Sequence, residues 1–233
     1  MRQLLQLQKA KRLTLKCWAL LSALSTALAT TACNSASPAD ESLKNRKFKT
    51  ENVILVVVDG PRYTETWGDE DFSHVPNSAR DLLPQATLFT NFYNEGATYT
   101  SPGHTAIITG VYQEMENTGK ELPKNPSMLQ LYLERTGIAK EKVWLVASKG
   151  KLNVLTNTDD PAYKDRYIAS WDCGTDGQGN GYRVDSLTYK KVTQVLNEHQ
   201  PRLLFINFRE PDVSGHLGDW DGYIKGIETT DLY

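Results

Sequence analysis

Residues 52–61 read Asn-Val-Ile-Leu-Val-Val-Val-Asp-Gly-Pro, an unbroken run of aliphatic and β-branched side chains that stops at an aspartate and a turn. A continuous apolar run of this length is typical of a strand buried on both faces, as in the parallel sheet of an α/β protein. Residues 142–147 and 202–208 have the same character. The sequence therefore predicts a first buried strand that ends at Asp59, and two further strands like it.

Helical patterns lie between these strand candidates. Residues 126–136 predict a helix that ends at Gly137, a residue suited to C-terminal capping. Asp185 and Ser186 are expected to cap a second helix that runs to about His199. The glycine-rich residues 174–181 lack the spacing of a calcium loop and predict a flexible surface turn. Alternating strands and helices predict a three-layer α/β/α domain with a mostly parallel central sheet.

Composition excludes several classes of protein. The 233 residues include 26 Lys+Arg and 28 Asp+Glu, a net charge of −2. A dedicated nucleic-acid binder is excluded, because counterion release requires a clustered excess of basic residues. The hydrophobic fraction of 39% is too high for a disordered chain, and three cysteines are too few for a fold built on disulfides.

The first 33 residues have the pattern of an export signal. All five charged residues among residues 1–32 are basic, and an apolar run rich in Ser, Thr and Ala follows them at residues 17–29. That run is shorter than the roughly 20 apolar residues of a transmembrane helix. An uncleaved N-terminal anchor helix is the alternative to a cleaved signal.

Two ways of processing this signal stay open. Thr30-Thr-Ala-Cys33 resembles a bacterial lipoprotein site, at which the Cys33 thiol takes the lipid, whereas Ala27-Leu-Ala29 suits an ordinary signal peptidase. Lipidation would anchor the protein to a membrane in the periplasm or cell envelope and leave Cys173 as a lone thiol. Residues 34–50 predict a polar, flexible tether, and residues 51–233 the folded domain.

Polar residues follow two of the predicted strands. Asp59 follows the first strand, and Asp212 comes shortly after the strand that ends near Phe208. Ligands of open α/β sheets collect at these carboxyl ends. Asp212 and His216, four residues apart, can share one face of a helical turn and hold one metal ion. Neither feature alone identifies a metal site, because aspartates after strands also cap helices and form turns.

Residues 98–110 predict a loop that enters a helix. Ser101 suits the N-cap, Pro102 the first helical position, and Gly110 the end. Thr100 would then lie just before a helix N-terminus, where free backbone N–H groups and the helix dipole favour an anion. A hydroxyl at this place can be ionised by a metal and can face a phosphate. The alternative is an ordinary capping segment.

Together these segments resemble the alkaline phosphatase superfamily, in its branch of type I phosphodiesterases and nucleotide pyrophosphatases. Residues 56–60 are similar to the first metal-binding strand end, residues 100–110 to the nucleophile segment, and residues 210–216 to the next metal segment. Sulfatases of the superfamily carry an oxidised Cys or Ser where Thr100 stands, so sulfatase activity is disfavoured.

The resemblance implies an exported, metal-dependent phosphohydrolase that acts on a small-molecule phosphate ester, as a phosphodiesterase or a phosphatase. Asp59 and Thr100 would contact one divalent ion, and Asp212 and His216 a second, both of them zinc. Thr100 Oγ1 would attack phosphorus and form a phosphothreonine that water then hydrolyses. Ser101 is the rival nucleophile.

Several other residues receive weaker assignments from the sequence. Arg62 and Asn117 are candidates for contact with the phosphate. His104 is expected to make a packing contact or a helix-terminal hydrogen bond, and His74 and His199 to lie at the surface.

The further ligands of the family do not occur in this sequence. Family members have an Asp-His pair, usually followed by Gly, and then a final His, but the chain has no Asp-His dipeptide and no histidine after His216. We therefore expect the sequence to be the N-terminal part of a larger domain, and to be weakly active or inactive alone. The alternative function is a catalytically inactive, lipid-anchored binding or scaffold protein with the same fold.

Overall fold

The computed structural model describes residues 49–233 and shows one sheet of five parallel strands, in the order β1-β5-β2-β3-β4. The predicted export signal, Cys33 and the tether up to residue 48 lie outside the described residues. No helix among residues 49–233 is long and apolar enough to cross a membrane. The strands are β1 (Val53–Val58), β2 (Val143–Ala147), β3 (Ser170–Gly174), β4 (Gln178–Asn180) and β5 (Leu203–Phe208).

Helices lie on both faces of this sheet. Residues of α2 and α3 pack on one face and residues of α4 on the other, which makes the fold α/β and is compatible with three α/β/α layers. Short 3₁₀ helices occupy Tyr63–Glu65, Leu83–Gln85, Lys140–Lys142 and Gly150–Thr156. The α-helices are α1 (Pro76–Asp81), α2 (Thr100–Thr109), α3 (Met128–Thr136), α4 (Asp185–His199), α5 (Asp212–His216) and α6 (Trp220–Thr230).

The two central strands, β2 and β5, are buried along their whole length. On β2, Val143 and Leu145 face the layer of α2 and α3, whereas Trp144 and Val146 face α4. Burying an aliphatic side chain of this size contributes about 1.5–3 kcal/mol. The unbroken apolar runs predicted for these two strands therefore match their burial between two helical layers.

The prediction that β1 is buried on both faces is wrong. Val53, Ile54 and Val56 are 45%, 48% and 52% exposed. The cause is the strand order, because β1 lies at the edge of the sheet and pairs with β5 alone. An apolar run specifies a strand but not the position of that strand within its sheet.

The helix predicted at residues 126–136 is α3, and its two ends have clear local causes. Ser127 and Gln130 form a capping box, in which each side chain accepts a hydrogen bond from the backbone N–H of the other. Gly137 ends the helix in the left-handed conformation at φ 61°, as predicted.

Helix α4 has the predicted bounds, but Asp185 does not cap it. Val184 is the N-cap, and the buried Asp185 carboxylate accepts hydrogen bonds from the backbone N–H groups of Arg209 and Glu210, both at 2.9 Å. It also accepts a bond from the hydroxyl of Ser148. Asp185 therefore joins the segments that follow β2 and β5, and this contact could not be predicted from its place before a helix.

Residues 174–181 contain regular structure that the predicted flexible surface turn did not include. They contain β4, which pairs with β3, and Gly179 lies so close to Gly150 that a Cβ on Gly150 would be 2.5 Å from the Gly179 carbonyl oxygen. Cys173, near the end of β3, is fully buried and forms no disulfide within residues 49–233, and burial raises its pKa. The prediction of a lone thiol depends on Cys33, which lies outside the described residues, and stays a prediction.

Candidate active site

Three segments that are distant in the sequence meet at the carboxyl edge of the sheet. Asp59 follows β1, Lys149 follows β2, and Asp212 begins α5 just after β5. Because β1, β5 and β2 are neighbours, their carboxyl ends lie side by side. Lys149 Nζ donates to Asp59 Oδ2 at 2.5 Å, to Asp212 Oδ2 at 2.5 Å and to Thr100 Oγ1 at 3.2 Å.

The backbone holds the two aspartates together. The N–H of Asp212 donates to the carbonyl oxygen of Asp59 at 3.1 Å. Gly60 has φ +80°, and a Cβ at this position would lie 2.8 Å from both Cα and Cβ of Asp212. Glycine is therefore required here for two reasons, the left-handed backbone and the close approach of Asp212.

Helix α2 presents Thr100 to this cluster. The helix begins at Thr100 with Tyr99 as N-cap, two residues earlier than expected, so the prediction that Ser101 is the N-cap is wrong. The cause is a helical hydrogen bond from the N–H of Gly103 to the carbonyl oxygen of Tyr99 at 2.8 Å. The Ser101 side chain is fully buried, and its hydroxyl has no hydrogen-bond partner within residues 49–233.

His104 supports the first turn of α2 from inside the protein. Its Nδ1 lies 2.7 Å from the Thr100 carbonyl oxygen, and its Nε2 lies 3.0 Å from the side-chain nitrogen of Asn207. Burial lowers the pKa of His104, so the ring is neutral, donating from Nδ1 and accepting at Nε2. His104 thus makes the helix-terminal hydrogen bond that the sequence favoured.

Asn117 lies beside the candidate nucleophile. Its side-chain oxygen accepts from the backbone N–H of Ser101 at 2.9 Å and from Lys151 Nζ at 2.9 Å. Asn117 therefore satisfies one of the free N–H groups of α2. Asn117, a predicted phosphate contact, therefore binds the residue that follows Thr100 in the chain.

Arg62, the other predicted phosphate contact, points elsewhere. Its guanidinium pairs with Glu65 at 2.6 Å and stacks over the ring of Trp220, 4.8 Å from the centroid. The hydrogen bond from Arg62 to Glu65 raises the pKa of the guanidinium. No hydrogen bond or ion pair joins Arg62 to Asp59, Thr100 or Asp212, so the structure does not bring it into the cluster.

His216 lies at the rim of the cluster. Its Nε2 is 3.4 Å from Oδ1 of Asp212, so the two residues share one face of α5, as their spacing predicted. The imidazole is 81% exposed. His74 and His199, predicted at the surface, are both partly exposed; His74 contacts Glu228 at 2.9 Å and His199 lies against Trp144.

Lys149 is the site residue that the sequence analysis missed. Its side chain is 1% exposed. Burial acts to lower the pKa of Lys149, but its hydrogen bonds to Asp212 and Asp59 outweigh burial and raise it. Its position after β2 is a signal of the same kind as that of Asp59 after β1, but a lysine at a strand end is also typical of an ordinary surface residue.

The side chains at the cluster can be tested as ligands of a divalent metal. The oxygen atoms of Asp59, Thr100 and Asp212 converge on one position, which the Lys149 ammonium takes, and carboxylate oxygens are ordinary ligands of divalent cations. These three residues fit one cation. For a second ion, only Asp212 and His216 are at hand as ligands in the described part of the chain. Residues 49–233 contain no group of three or more His, Cys, Asp or Glu side chains placed to hold a metal.

A cavity of about 390 Å³ opens beside Asp59 and His104. Aromatic side chains form part of its wall, and Phe92 and Tyr93 are 84% and 77% exposed. An apolar wall next to a charged cluster suits a ligand with an aromatic part and an anionic part.

Comparisons of the chain with protein-family models, with curated proteins and with solved structures gave no match. The interpretation of the site therefore depends on its own residues. These are two carboxylates, a hydroxyl at a helix N-terminus, an exposed imidazole and a buried lysine.

Proposed function

We propose that the protein is an exported, metal-dependent phosphohydrolase of the alkaline phosphatase type, a phosphodiesterase or phosphatase that uses Thr100 as its nucleophile. The observation that carries this proposal is the convergence of oxygen atoms from Asp59, Thr100 and Asp212 on the single Nζ atom of Lys149. These residues come from three distant segments, each with a motif typical of phosphoryl transfer.

Thr100 is suited to nucleophilic attack by its place in the fold. It is the first residue of the ten-residue helix α2, and the positive end of the helix dipole there favours an anionic phosphate. A divalent cation held between Asp59 and Asp212, where the Lys149 ammonium lies 3.2 Å from the hydroxyl, would favour the ionised form of the hydroxyl. Ser101 is fully buried, which makes it the poorer candidate for contact with a substrate.

The proposed reaction has two steps. Thr100 Oγ1 loses its proton and forms a bond to phosphorus, and the bond from phosphorus to the leaving alcohol breaks, with the alcohol taking a proton. The oxygen of a water molecule then bonds to this phosphorus, the bond from phosphorus to Thr100 Oγ1 breaks, and Oγ1 takes a proton from that water as the phosphate product leaves. For a diester, the intermediate on Thr100 keeps the second ester group.

We propose zinc as the metal, and Asp59, Thr100, Asp212 and His216 as the residues that would hold it, in a site for two divalent ions. When bound, zinc supplies positive charge that stabilises the transition state and lowers the pKa of a nearby hydroxyl or water. Asp59 and Asp212 contribute the carboxylates, and the backbone bond between them fixes their separation.

We also propose that Cys33 carries a lipid that anchors the exported protein to a membrane. Replacing Cys33 with serine should release the protein from the membrane fraction. Retention of C33S in that fraction would contradict the lipid anchor and favour an uncleaved N-terminal helix.

A catalytically inactive binding or scaffold protein is the second candidate. The Lys149 ammonium favours it, because this cation neutralises both carboxylates without any metal. In that case neither zinc nor Thr100 would affect any hydrolytic activity.

Hydrolysis of bis-p-nitrophenyl phosphate in the presence of zinc separates the two candidates. We expect slow turnover that T100A reduces at least about a hundredfold while zinc binding is retained. The matched control is S101A, which removes the neighbouring buried hydroxyl and should keep its rate. Turnover that survives in T100A, or that is lost in S101A instead, would overturn the role of Thr100. If the wild type hydrolyses no substrate either with or without zinc, the second candidate is favoured.

A further inference from the structure

Lys149 occupies the point at which the proposed ligands converge. Its ammonium lies 2.5 Å from a carboxylate oxygen of Asp59 and 2.5 Å from one of Asp212. The side chains of Asp59 and Asp212 are 15% and 22% exposed, so the cluster is largely withdrawn from water. A positive charge is therefore already present where a divalent cation would be held.

Each member of this cluster depends on the others. A buried ammonium without partners is costly, and two carboxylates this close repel each other unless a cation lies between them. Lys149 also donates to the Thr100 hydroxyl at 3.2 Å, so one ammonium orients all three oxygen ligands. The cluster can thus stay assembled without a metal.

A metal ion and this ammonium cannot share the position. Zinc binds carboxylate oxygens at about 2.0–2.2 Å, which is shorter than the distances from Lys149 Nζ to the same oxygens. Two cations within this distance of the same oxygens would repel each other strongly. Metal binding therefore requires the ammonium to leave.

An aromatic ring lies beside the ammonium in the position in which it binds the two aspartates. Lys149 Nζ lies 5.8 Å from the centroid of the Tyr182 ring, and Tyr182 is 43% exposed. The four-carbon stem of lysine is flexible, and an aromatic face attracts an ammonium. The Tyr182 ring would therefore stay within reach of the ammonium as the Lys149 side chain rotates out of the cluster.

We propose that Lys149 is an internal counter-ion that holds the metal position in the metal-free protein and exchanges with the metal when it binds. This inference rests on the proposed metal site, and it adds a device that keeps the ligands assembled between metal-binding events. Metal affinity is then lower than the ligands alone would give, because each binding event breaks two ion pairs.

Zinc titrations of three forms of the protein test the exchange. Isothermal titration with zinc alone should show that K149M binds at least about tenfold more tightly than the wild type. K151M is the matched control, because it removes the same charge two residues away, and its affinity should stay within about twofold of the wild type. Equal zinc affinity in K149M and the wild type would overturn the exchange.

A second measurement uses the unaltered protein, so it does not depend on the folding of K149M. Reductive methylation followed by peptide mass spectrometry reports which lysines are accessible. Lys149 should be protected without zinc and modified at saturating zinc, whereas Lys151 should be modified in both states. Protection of Lys149 at saturating zinc would overturn the exchange.

The two proposals fail in different ways. Zinc binding with release of Lys149 but without phosphodiester hydrolysis would support the exchange and contradict the phosphohydrolase. Hydrolysis with Lys149 still protected at saturating zinc would do the reverse. Failure of zinc to bind any of the three forms would overturn both.

Discussion

Single residues of this protein show how strongly the cluster depends on close packing. Gly60 lets the backbone after β1 pass within van der Waals distance of Asp212, and His104 holds the first turn of α2 from the buried side. Neither residue is expected to touch a substrate. Both determine where the oxygen atoms of the cluster lie.

The G60A substitution should bring Asp212 out of place. The new Cβ would lie 2.8 Å from the Cα and 2.8 Å from the Cβ of Asp212, so the free energy of unfolding should fall by about 2–4 kcal/mol. G110A is the matched control, since Gly110 also has a left-handed backbone, at φ +73°, but nothing lies within 4 Å of its Cβ position. It should cost about 1 kcal/mol. Urea denaturation measures both, and equal losses would contradict the steric account.

The neutral, buried His104 predicts a dependence of stability on pH. Burial lowers the pKa of His104 in the folded state, so below a pH of about 6.5 the unfolded chain takes up a proton that the folded protein does not. Stability should therefore fall as the pH drops from 7 to 5, by at most about 1.4 kcal/mol per pH unit from this residue. In H104Q that part of the dependence should be absent. An unchanged pH profile in H104Q would show that His104 is charged or solvated in the folded state.

Among the individual site residues, some could be predicted and others could not. Asp59, Thr100 and Asp212 were identified from strand ends and a helix start, and the structure brings them together. Lys149 was missed, because lysine after a strand reads as an ordinary surface residue unless its partners are known. Arg62 was a candidate for contact with the phosphate, but Glu65 and Trp220 hold its side chain elsewhere.

At the scale of elements, the end of helix α3 at Gly137 followed from a local signal. A terminal glycine acts within one turn, so the sequence carries it, whereas the predicted cap of α4 at Asp185 was wrong. β3 and β4 were not predicted, because they are short and contain polar and glycine residues that also suit turns. Their pairing depends on contacts with β2 and with the 3₁₀ helix Gly150–Thr156, which are distant in the sequence.

Asp185 shows how one helix terminus can position two other elements. D185A would leave the N–H groups of Arg209 and Glu210 without their acceptor and the hydroxyl of Ser148 without one partner. We expect a loss of about 2–4 kcal/mol in unfolding free energy, together with weaker zinc binding, because Ser148 and Arg209 lie next to the segments that carry Lys149 and Asp212.

E198A, in the last turn of the same helix, is the control for D185A. Glu198 is exposed, so its removal should change the unfolding free energy by no more than about 0.5 kcal/mol. Thermal or urea unfolding of the two variants gives the comparison. A loss in D185A as small as that in E198A would show that Asp185 does not hold the two strand ends.

For the molecule as a whole, the order of the strands in the sheet determines which residues meet at the cluster and which strand lies at the edge, and local sequence patterns do not predict this order. The order β1-β5-β2 places the carboxyl ends of three strands side by side and so creates the cluster. The same order leaves β1 at an edge, with apolar side chains exposed that a central strand would bury. The sequence predicted parallel strands and α/β layers correctly, but strand order depends on long-range packing that no local pattern records.

The central claim is that Thr100 is the nucleophile of a phosphoryl-transfer site, and trapping the covalent intermediate tests it most directly. Zinc-loaded protein should be mixed with bis-p-nitrophenyl phosphate, quenched in acid and digested, and its peptides analysed by mass spectrometry. We predict one p-nitrophenyl phosphoryl group on Thr100 in the wild type and in S101A, and none in T100A. A label on Ser101, or hydrolysis that proceeds with no labelled residue, would contradict the account.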